Sequence, residues 1–426
     1  MNIPIKERET SLNYRRPYRP RLIAALNSAG RLMRSAGFGS RIVPERIVEK
    51  AMRKAGLHDF GDESFRERLA LLAQSIDEEA RLHPVGRFMV RQNLIRFLVN
   101  RLRIEHAFKN HPEINEVPVQ EPVFIIGLQR TGTTMLHRIL ASDESRFRFL
   151  ASWEAINPAP FPGARAAGDT DPRVKTAVTA HRAVKYLAPD FFAIHPVDPL
   201  GPEEDCLLFD FDFYSTVPEA TMRVPTFSRW LEQQDHTAAY RYYRRILQYL
   251  SWQRPGGRWV LKTPQHMEHF EELFAVFPDA LVIQTHRDPA RVVASFCSMV
   301  AHAYGVFSDD IDPFEIGAHW FRKAATMVAH SMNARAKKKW RFMDVAYAEL
   351  IADPVSVTRR IYGFLGLEFE KNDAARVQDW VNRNPQHRYG KHRYRLEDFG
   401  LSPSTVAESF RSYRAMFDIP EESPRE

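Results

Sequence analysis

The feature that most constrains this chain is a short apolar segment that runs into a glycine-containing loop, Pro122-Val-Phe-Ile-Ile-Gly-Leu-Gln-Arg-Thr-Gly-Thr-Thr-Met-Leu136. Residues 123–126 are continuously apolar and mostly β-branched, which is typical of a strand covered on both faces of a parallel sheet. Gly127 and Gly132 have the spacing of a phosphate-binding P-loop, and a helix is predicted to begin near Thr133. Such a loop turns backbone N–H groups toward an anion, and the helix N-terminus adds partial positive charge.

The loop differs from that of nucleotide triphosphatases at one position. Those proteins place a lysine where this chain has Thr133, and the lysine reaches the β- and γ-phosphates. Here the cation is Arg130, three residues earlier, and Thr131 and Thr134 add hydroxyl donors. The alternative is a tight turn in which the glycines serve only packing. A donor set without any acidic residue favours an anion-binding loop with a different ligand.

Composition narrows the class of protein. Of 426 residues, 44% are hydrophobic and 27% charged, which is ordinary for a soluble globular chain. The net charge of +7 fits an anionic ligand or an anionic membrane surface. Basic residues are spread along the chain and do not indicate nucleic acid, so we expect no nucleic-acid partner. Cys206 and Cys297 are too few for a disulfide framework or a cysteine zinc cluster.

The first residues contain no apolar core of a signal peptide, and no stretch of 18 apolar residues follows. We therefore expect a cytoplasmic protein. Peripheral membrane contact stays open, since residues 14–22 mix arginine with tyrosine and proline. Assembly into a homodimer also stays open.

The pattern of apolar residues predicts the organisation of the chain. Residues 1–115 are predicted to form a helical N-terminal extension, and residues 116–426 the main domain. Within the main domain, residues 157–253 are predicted to be a mainly helical insertion. Strands alternate with helices in the main domain, which predicts a mostly parallel sheet with helices on both faces. The expected fold is an α/β three-layer sandwich like that of P-loop nucleotide triphosphatases. Predicted strands after the first are 259–262, 280–285 and 341–346, and helices are predicted over residues 265–277 and 289–299.

A second group of residues follows a predicted core strand. Arg287 leaves the end of this strand, and Ser295 lies eight residues later, two turns into the next helix. A guanidinium and a hydroxyl facing one crevice suit a phosphate monoester. The alternative is an arginine paired with Asp288 or Asp279. A nucleotide triphosphatase usually has an acidic magnesium ligand at such a strand end, so an arginine there favours phosphate binding.

Taken together and in this order, the two motifs resemble those of sulfotransferases that use 3′-phosphoadenosine 5′-phosphosulfate (PAPS). The bacterial-type members of that family have a similar 5′-phosphosulfate loop and an Arg and a Ser eight residues apart. A third segment, Asp344 to Pro354, is similar to the family's strand followed by a tyrosine, which is Tyr347 here. The resemblance covers about residues 121–156 and 258–366.

The resemblance implies roles for these residues. Arg130 would hold the 5′-phosphosulfate, and Arg287 with Ser295 would bind the 3′-phosphate. Tyr347 would lie near adenine, whereas the aromatic residue that many members have after the loop is Met135 here. Lys391 and His392 resemble the family's late 3′-phosphate loop, with a solvated basic loop as the alternative. The other expected contacts to the 5′-phosphate come from the loop itself: Gly127, Thr131, Gly132, Thr133 and Thr134.

Sulfuryl transfer also needs a cation at the leaving oxygen and a base for the acceptor. Lys262, at the end of a predicted strand, resembles the family's lysine that acts on the bridging oxygen. The base is left open between His266 and one of Glu203 and Glu204. Each has an ordinary alternative, because His266 would suit a helix surface and the glutamates a helix N-terminus. No set of acidic residues and histidines has metal-ligand spacing, so we expect no metal requirement.

The expected function is therefore transfer of a sulfuryl group from PAPS to a hydroxyl, or less readily an amine, with 3′,5′-diphosphoadenosine as product. The acceptor class is left open between a small molecule, a lipid and a carbohydrate. The alternatives are a P-loop-type small-molecule kinase and a non-catalytic nucleotide-binding protein of the same fold. The missing P-loop lysine and Arg287 argue against the kinase.

Overall fold

The central element is a parallel sheet. The computed structural model describes residues 10, 12–33, 35, 41–163, 171–385 and 392–422. Five strands are found in these residues, with the order β2-β3-β1-β4-β5 and every neighbouring pair parallel. Their bounds are β1 Val123–Ile126, β2 Phe147–Phe149, β3 Arg258–Lys262, β4 Leu281–His286 and β5 Phe342–Ala346.

Helices surround this sheet. Those before β1 and up to β3 are α1 Arg21–Met33, α2 Pro44–Ala55, α3 Phe65–Glu79, α4 Pro84–Asn110, α5 Thr133–Ala141, α6 Ser152–Ile156, α7 Pro172–Leu187, α8 Pro189–Ile194, α9 Val217–Thr221, α10 Pro225–Leu231 and α11 Thr237–Gln253. Those after β3 are α12 Phe270–Val276, α13 Pro289–Phe307, α14 Pro313–Ala336, α15 Tyr347–Ala352, α16 Pro354–Phe364, α17 Lys371–Arg383, α18 Pro403–Ser409 and α19 Arg411–Met416. Short 3-10 helices lie at Pro112–Glu116, Asp205–Asp212, Pro264–Glu268 and Glu397–Phe399.

Strand β1 lies at the centre of the sheet and is buried along its whole length. Val123 is paired with Val260 of β3 on one side and with Leu281 of β4 on the other. Side chains alternate between the faces, so Val123 and Ile125 join one core cluster while Phe124 and Ile126 join the other. The continuous apolar run follows from helices covering both faces, and the expected α/β sandwich is confirmed.

The larger core cluster does not separate the N-terminal helices from the rest. It contains residues of α2, α3 and α4 together with residues of α11, α13 and α14. Helix α13 is the one helix in the described residues with the length and apolar composition of a membrane span, and 67% of that window is buried inside the protein. Its apolar character is explained by this central position.

Some elements differ from the sequence expectation. Strand β2 was not predicted, since it has three residues and its central Arg148 is a charged side chain that is buried against Glu154 and the Trp259 ring. A single helix was expected over residues 265–277, but the structure has a 3-10 turn followed by α12. The break lies at His269, whose backbone is not helical. Helix α13 continues eight residues beyond the expected end at Met299.

The carboxyl ends of β3, β1 and β4 lie side by side. Lys262 ends β3, Gly127 follows β1, and Arg287 follows β4. Three segments that are far apart in the chain therefore reach one edge of the sheet, which is where ligands bind in open parallel sheets.

Candidate active site

The loop after β1 depends on its two glycines. Gly127 has φ +151°, and a Cβ there would lie 2.4 Å from Thr285 Oγ1 of β4. Gly132 has φ +92° immediately before α5, and a Cβ there would lie 3.0 Å from side-chain atoms of Leu350 and Tyr347. A side chain at either position would both strain the backbone and collide with atoms already packed beside the loop.

Arg130 occupies a left-handed backbone conformation, with φ +69°, which is uncommon for a residue other than glycine. Its Nε donates to Ser295 Oγ at 3.2 Å, and its carbonyl oxygen accepts from Arg287 Nη1 at 3.0 Å. The structure therefore brings together the cation of the first motif and both residues of the second. Burial lowers the pKa of Arg130, and the neighbouring Arg287 lowers it further, while Tyr394 and Tyr347 oppose the shift.

Thr131 is turned inward. Its hydroxyl is bonded to the Leu128 carbonyl and to Thr285 Oγ1, each at 2.6 Å, and the side chain is fully buried. The side chain therefore braces the loop against β4. Thr133 and Thr134, at the start of α5, line the cavity described below.

Arg287 holds a carboxylate of the chain itself. Its Nε and Nη2 donate to the two carboxylate oxygens of Glu422, each at 2.8 Å. Burial lowers the pKa of Arg287, but the hydrogen bonds and charge of Glu422 raise it above its ordinary value. The guanidinium also lies 4.0 Å from the ring centroid of Tyr347. Arg287 therefore already presents the bidentate geometry that an oxyanion needs.

Lys262 is buried at the end of β3 and forms an ion pair with Glu204. Glu203 Oε1 accepts from the Glu204 backbone N–H at 3.0 Å. The Glu203 N–H in turn donates to the Leu150 carbonyl at 2.9 Å, which fixes the segment beside the end of β2. The sequence left open whether the two glutamates act as a base or only begin a helix. In the structure they lie immediately before the 3-10 helix at Asp205–Asp212, and both line a cavity.

The structure does not bring His266 to the cavity, and its role as the base stays a prediction. His266 is fully buried, its Nε2 is bonded to Asp205 Oδ2 at 2.8 Å, and its Nδ1 is bonded to the Tyr240 hydroxyl at 2.7 Å. The 3-10 turn that begins at Pro264 directs the ring into the core. Burial raises the pKa of Asp205, but His266 and the Tyr243 hydroxyl lower it below its ordinary value. These side chains form a buried hydrogen-bonded network next to the site.

Several of these residues line one cavity of about 620 Å³, a volume typical of small-molecule sites. At one end, which we call the donor end, it is lined by Arg130, Gly132, Thr133, Thr134, Arg287 and Tyr347. Glu203, Glu204 and His195 line its middle. The other end, which we call the apolar arm, is lined mainly by Val217, Ala220, Phe296, Met299, Ala303, Trp320 and Met327 from α9, α13 and α14. The ion-paired Lys323 and Glu268 also line the cavity.

Comparisons with known proteins identify the family to which this site belongs. The model of the sulfotransferase family matches residues 122–371, which is more than half of the chain. The chain belongs to the sulfotransferase family. Sulfotransferase STF9 from Mycobacterium avium has a similar structure, with a TM-score of 0.79 and 29% identity over 89% of this chain and 98% of that one. Sulfotransferase STF1 from Mycobacterium tuberculosis H37Rv gives a TM-score of 0.75 and 32% identity over 86% and 98%.

A further relative is named for the acceptor on which it acts. The omega-hydroxy-beta-dihydromenaquinone-9 sulfotransferase Stf3 of Mycobacterium bovis is 28% identical over 266 residues, 58% of this chain. The match spans 64% of the length of that relative, so it does not extend over the whole of it. The resemblance to sulfotransferases drawn from the sequence is confirmed, while the role of each site residue in this family member stays a prediction.

Of the late basic segment, the structure describes His392 and the residues after it. Lys391 lies outside the described residues. His392 does not line the cavity, because its Nε2 is bonded to Ser298 Oγ at 2.8 Å on the side of α13. Burial lowers the pKa of His392 to about 3, and the nearby Arg130 acts in the same direction. The role of His392 in binding the 3′-phosphate stays a prediction.

Sequence reasoning missed several residues that face the cavity. His195 follows α8, and Trp380 lies on α17, and no sequence motif marks either of them. Phe296, Met299 and Ala303 have helical spacing after Arg287, which could have indicated one face of α13. Phe191 also lines the cavity, whereas the aromatic residues Phe209, Phe211, Phe213 and Tyr214 are buried in the core.

Proposed function

We propose that this sulfotransferase-family protein transfers the sulfuryl group of PAPS to a hydroxyl group of a largely apolar, lipid-like acceptor. The observation that carries the proposal is the single cavity that joins a cationic donor end to an apolar arm, with carboxylates between them. The named activity of the Mycobacterium bovis relative, on a menaquinone derivative, supports an acceptor of this chemistry.

The residues of the donor end fit the two anionic groups of PAPS. Gly127 and Gly132 allow the loop its tight backbone path, and Arg130 and the N-terminus of α5 supply positive charge. Arg287 would bind the 3′-phosphate, since it already binds both oxygens of the Glu422 carboxylate. Tyr347 and Trp380 line the same part of the cavity and are the aromatic residues available to adenine.

PAPS supplies an activated sulfuryl group whose bridging oxygen becomes negative as it leaves. We assign this donor to Lys262, because it ends β3 beside the loop and its ammonium group is paired with Glu204, which lines the cavity. In a buried site such a donor contributes strongly to stabilising the transition state. Arg130 would neutralise charge on the phosphosulfate.

Glu203 is the proposed base. Both glutamates line the cavity, but Glu204 is paired with Lys262, whereas the Glu203 carboxylate accepts a hydrogen bond from a backbone N–H. Glu203 would accept the hydroxyl proton as the acceptor oxygen bonds to sulfur and the bond from sulfur to the bridging oxygen breaks. His195 lies beside this pair, and burial lowers its pKa, although Glu203 and Glu204 oppose that shift.

Two measurements test the proposal. We expect 3′,5′-diphosphoadenosine to raise the melting temperature more than ADP or Mg·ATP does, because only it carries the 3′-phosphate. We also expect labelled sulfate to move from PAPS to long-chain apolar alcohols or quinols in preference to sugars, and to do so in EDTA. Stabilisation by Mg·ATP alone would favour a kinase, and transfer to sugars alone would contradict the assignment of the apolar arm.

A further inference from the structure

Helix α1 turns a polar side toward the protein and an apolar side toward solvent, which is the reverse of an ordinary surface helix. The side that faces the protein carries Asn27, which is 1% exposed and accepts from the Val85 backbone N–H at 3.0 Å. It also carries Gly30, where a Cβ would lie 2.5 Å from Pro84. The opposite side exposes four large apolar residues: Leu22 by 63%, Leu26 by 50%, Leu32 by 72% and Met33 by 59%. A surface helix normally has its polar and apolar faces the other way round.

The exposed residues form a continuous stripe. Leu22, Leu26, Ala29 and Met33 follow the spacing of one helix face, and Ala29 is exposed with the others. Phe88 of α4 lies one turn after the Pro84 that packs against α1, and it is 61% exposed. Scattered exposed apolar residues are normal, but a contiguous patch of this kind marks a surface for a partner or a membrane.

The charge around the stripe has one sign in the sequence. Residues 10–44 contain seven arginines and no lysine, aspartate or glutamate. Asp309 and Asp312, which follow α13, pair with Arg15, Arg19 and Arg31 and so attach the segment to the protein. Arg16 and Arg21 are exposed in addition to those pairs. The surface therefore combines an apolar stripe with a surplus of guanidinium groups.

We propose that α1 binds the surface of an anionic lipid bilayer, with its apolar stripe inserted among the acyl chains. Arginines at both ends of the stripe would lie at the level of the lipid headgroups, as in amphipathic helices that lie in a membrane interface. A second copy of the chain is a poorer occupant, since a two-fold contact through this face would bring two arginine-rich segments together.

The segment before α1 links this surface to the helix that lines the apolar arm. The Tyr14 hydroxyl donates to Ser298 Oγ at 3.0 Å, and Pro17 packs against Gly305, so the segment lies along α13. Other residues of α13 line the arm, among them Met299 and Ala303. Docking of α1 would hold this helix next to the bilayer. Membrane binding itself does not depend on the proposed reaction.

The test is sedimentation of the full chain with vesicles of phosphatidylglycerol and phosphatidylcholine, compared with phosphatidylcholine alone. We expect binding to the anionic vesicles that weakens as salt is added. Leu22→Glu/Leu26→Glu should lower the partition coefficient by about tenfold or more, because the stripe loses two large apolar groups and gains charge. Met416→Glu is the matched control, since Met416 is 48% exposed on α19, and it should bind like the unaltered chain.

Melting temperature and stabilisation by 3′,5′-diphosphoadenosine show that each variant is folded, because no residue of α1 lines the cavity. A second variant, Arg16→Gln/Arg21→Gln, should weaken binding to anionic vesicles and flatten its salt dependence. The proposal is overturned if the unaltered chain does not sediment with anionic vesicles, or if Leu22→Glu/Leu26→Glu binds equally well. A dimer in solution that the leucine variant dissociates, without vesicle binding, would show that a second copy covers the stripe.

Discussion

The two ends of the cavity are built in different ways. The donor end is built from three short segments that each directly follow a strand: Arg130 to Thr134 after β1, Arg287 after β4 and Tyr347 after β5. The apolar arm is formed where α9, α13 and α14 meet, from single side chains that are up to about a hundred residues apart. Binding an anion requires positive charge and a fixed loop, whereas binding an apolar acceptor requires mainly a space of matching shape. Changes at the two ends should therefore affect different kinetic constants.

The largest expected effect is at the carboxylates between the two ends. Glu203→Gln should lower kcat about 10²- to 10⁴-fold, the usual contribution of a general base, with little change in donor affinity. Glu204→Gln is the matched neighbour and should have a smaller effect on the pH dependence of kcat. If His266→Gln, which alters the buried network, removed the basic group from the pH profile while Glu203→Gln left it intact, the assignment would be reversed.

At the donor end, Lys262→Met should lower kcat about 10²- to 10³-fold, because charge on the leaving oxygen would lose its buried donor. Stabilisation by 3′,5′-diphosphoadenosine should remain, since Arg130 and Arg287 are unchanged. Steady-state kinetics and a thermal-shift titration measure the two quantities. Full turnover in the variant would remove Lys262 from the reaction.

In the apolar arm, Ala220→Phe should raise KM for the acceptor about tenfold through lost space, while the KM for PAPS stays unchanged. Ala318→Phe is the control, because Ala318 is exposed on α14 outside the arm. An equal rise in both constants would mean that the two ends are not independent.

The helix behind the loop carries a histidine that makes folding depend on pH. His137 of α5 is buried, and its Nε2 is bonded to the Val260 carbonyl at 3.1 Å. Burial lowers its pKa from 6.5 to about 3, and the charge of Lys262 acts in the same direction. Below pH 6.5 the unfolded chain takes up a proton that the folded chain does not.

The free energy of unfolding should therefore fall by about 1.4 kcal/mol for each pH unit below 6.5 on account of this residue. The contribution is fully present above pH 6.5 and is lost progressively toward pH 3. His137→Asn should flatten the slope between pH 6.5 and 4 in urea unfolding. The same slope in both proteins would show that His137 is protonated in the folded state.

The smallest expected effect is at the tail. Glu422→Gln should tighten binding of 3′,5′-diphosphoadenosine a few-fold, since removing a charge-assisted contact of about 1.5 kcal/mol or more leaves Arg287 available to phosphate. Calorimetry measures this change, with Glu421→Gln as the control beside it. Weaker binding would mean that Glu422 helps to hold the nucleotide.

Sequence spacing predicted much of the donor end, because its residues are fixed by local rules. Gly127, Gly132 and Arg130 follow from the strand, the turn and the helix that succeed one another, and Arg287 follows from the end of the next core strand. The base could not be predicted in this way. His266 and Glu203 have comparable claims in the sequence. In the structure the 3-10 turn at Pro264 directs His266 into the core, whereas Glu203, held by the Leu150 carbonyl, lines the cavity.

The sequence by itself determined the α/β class, the family and the anion-binding loop, since each depends on the order of apolar runs and on residues a few positions apart. Only the tertiary structure decided which side chains share the cavity, that Glu422 binds Arg287, and that α1 turns its leucines outward. Those outcomes depend on contacts between segments far apart in the chain, and no local pattern encodes where such segments meet.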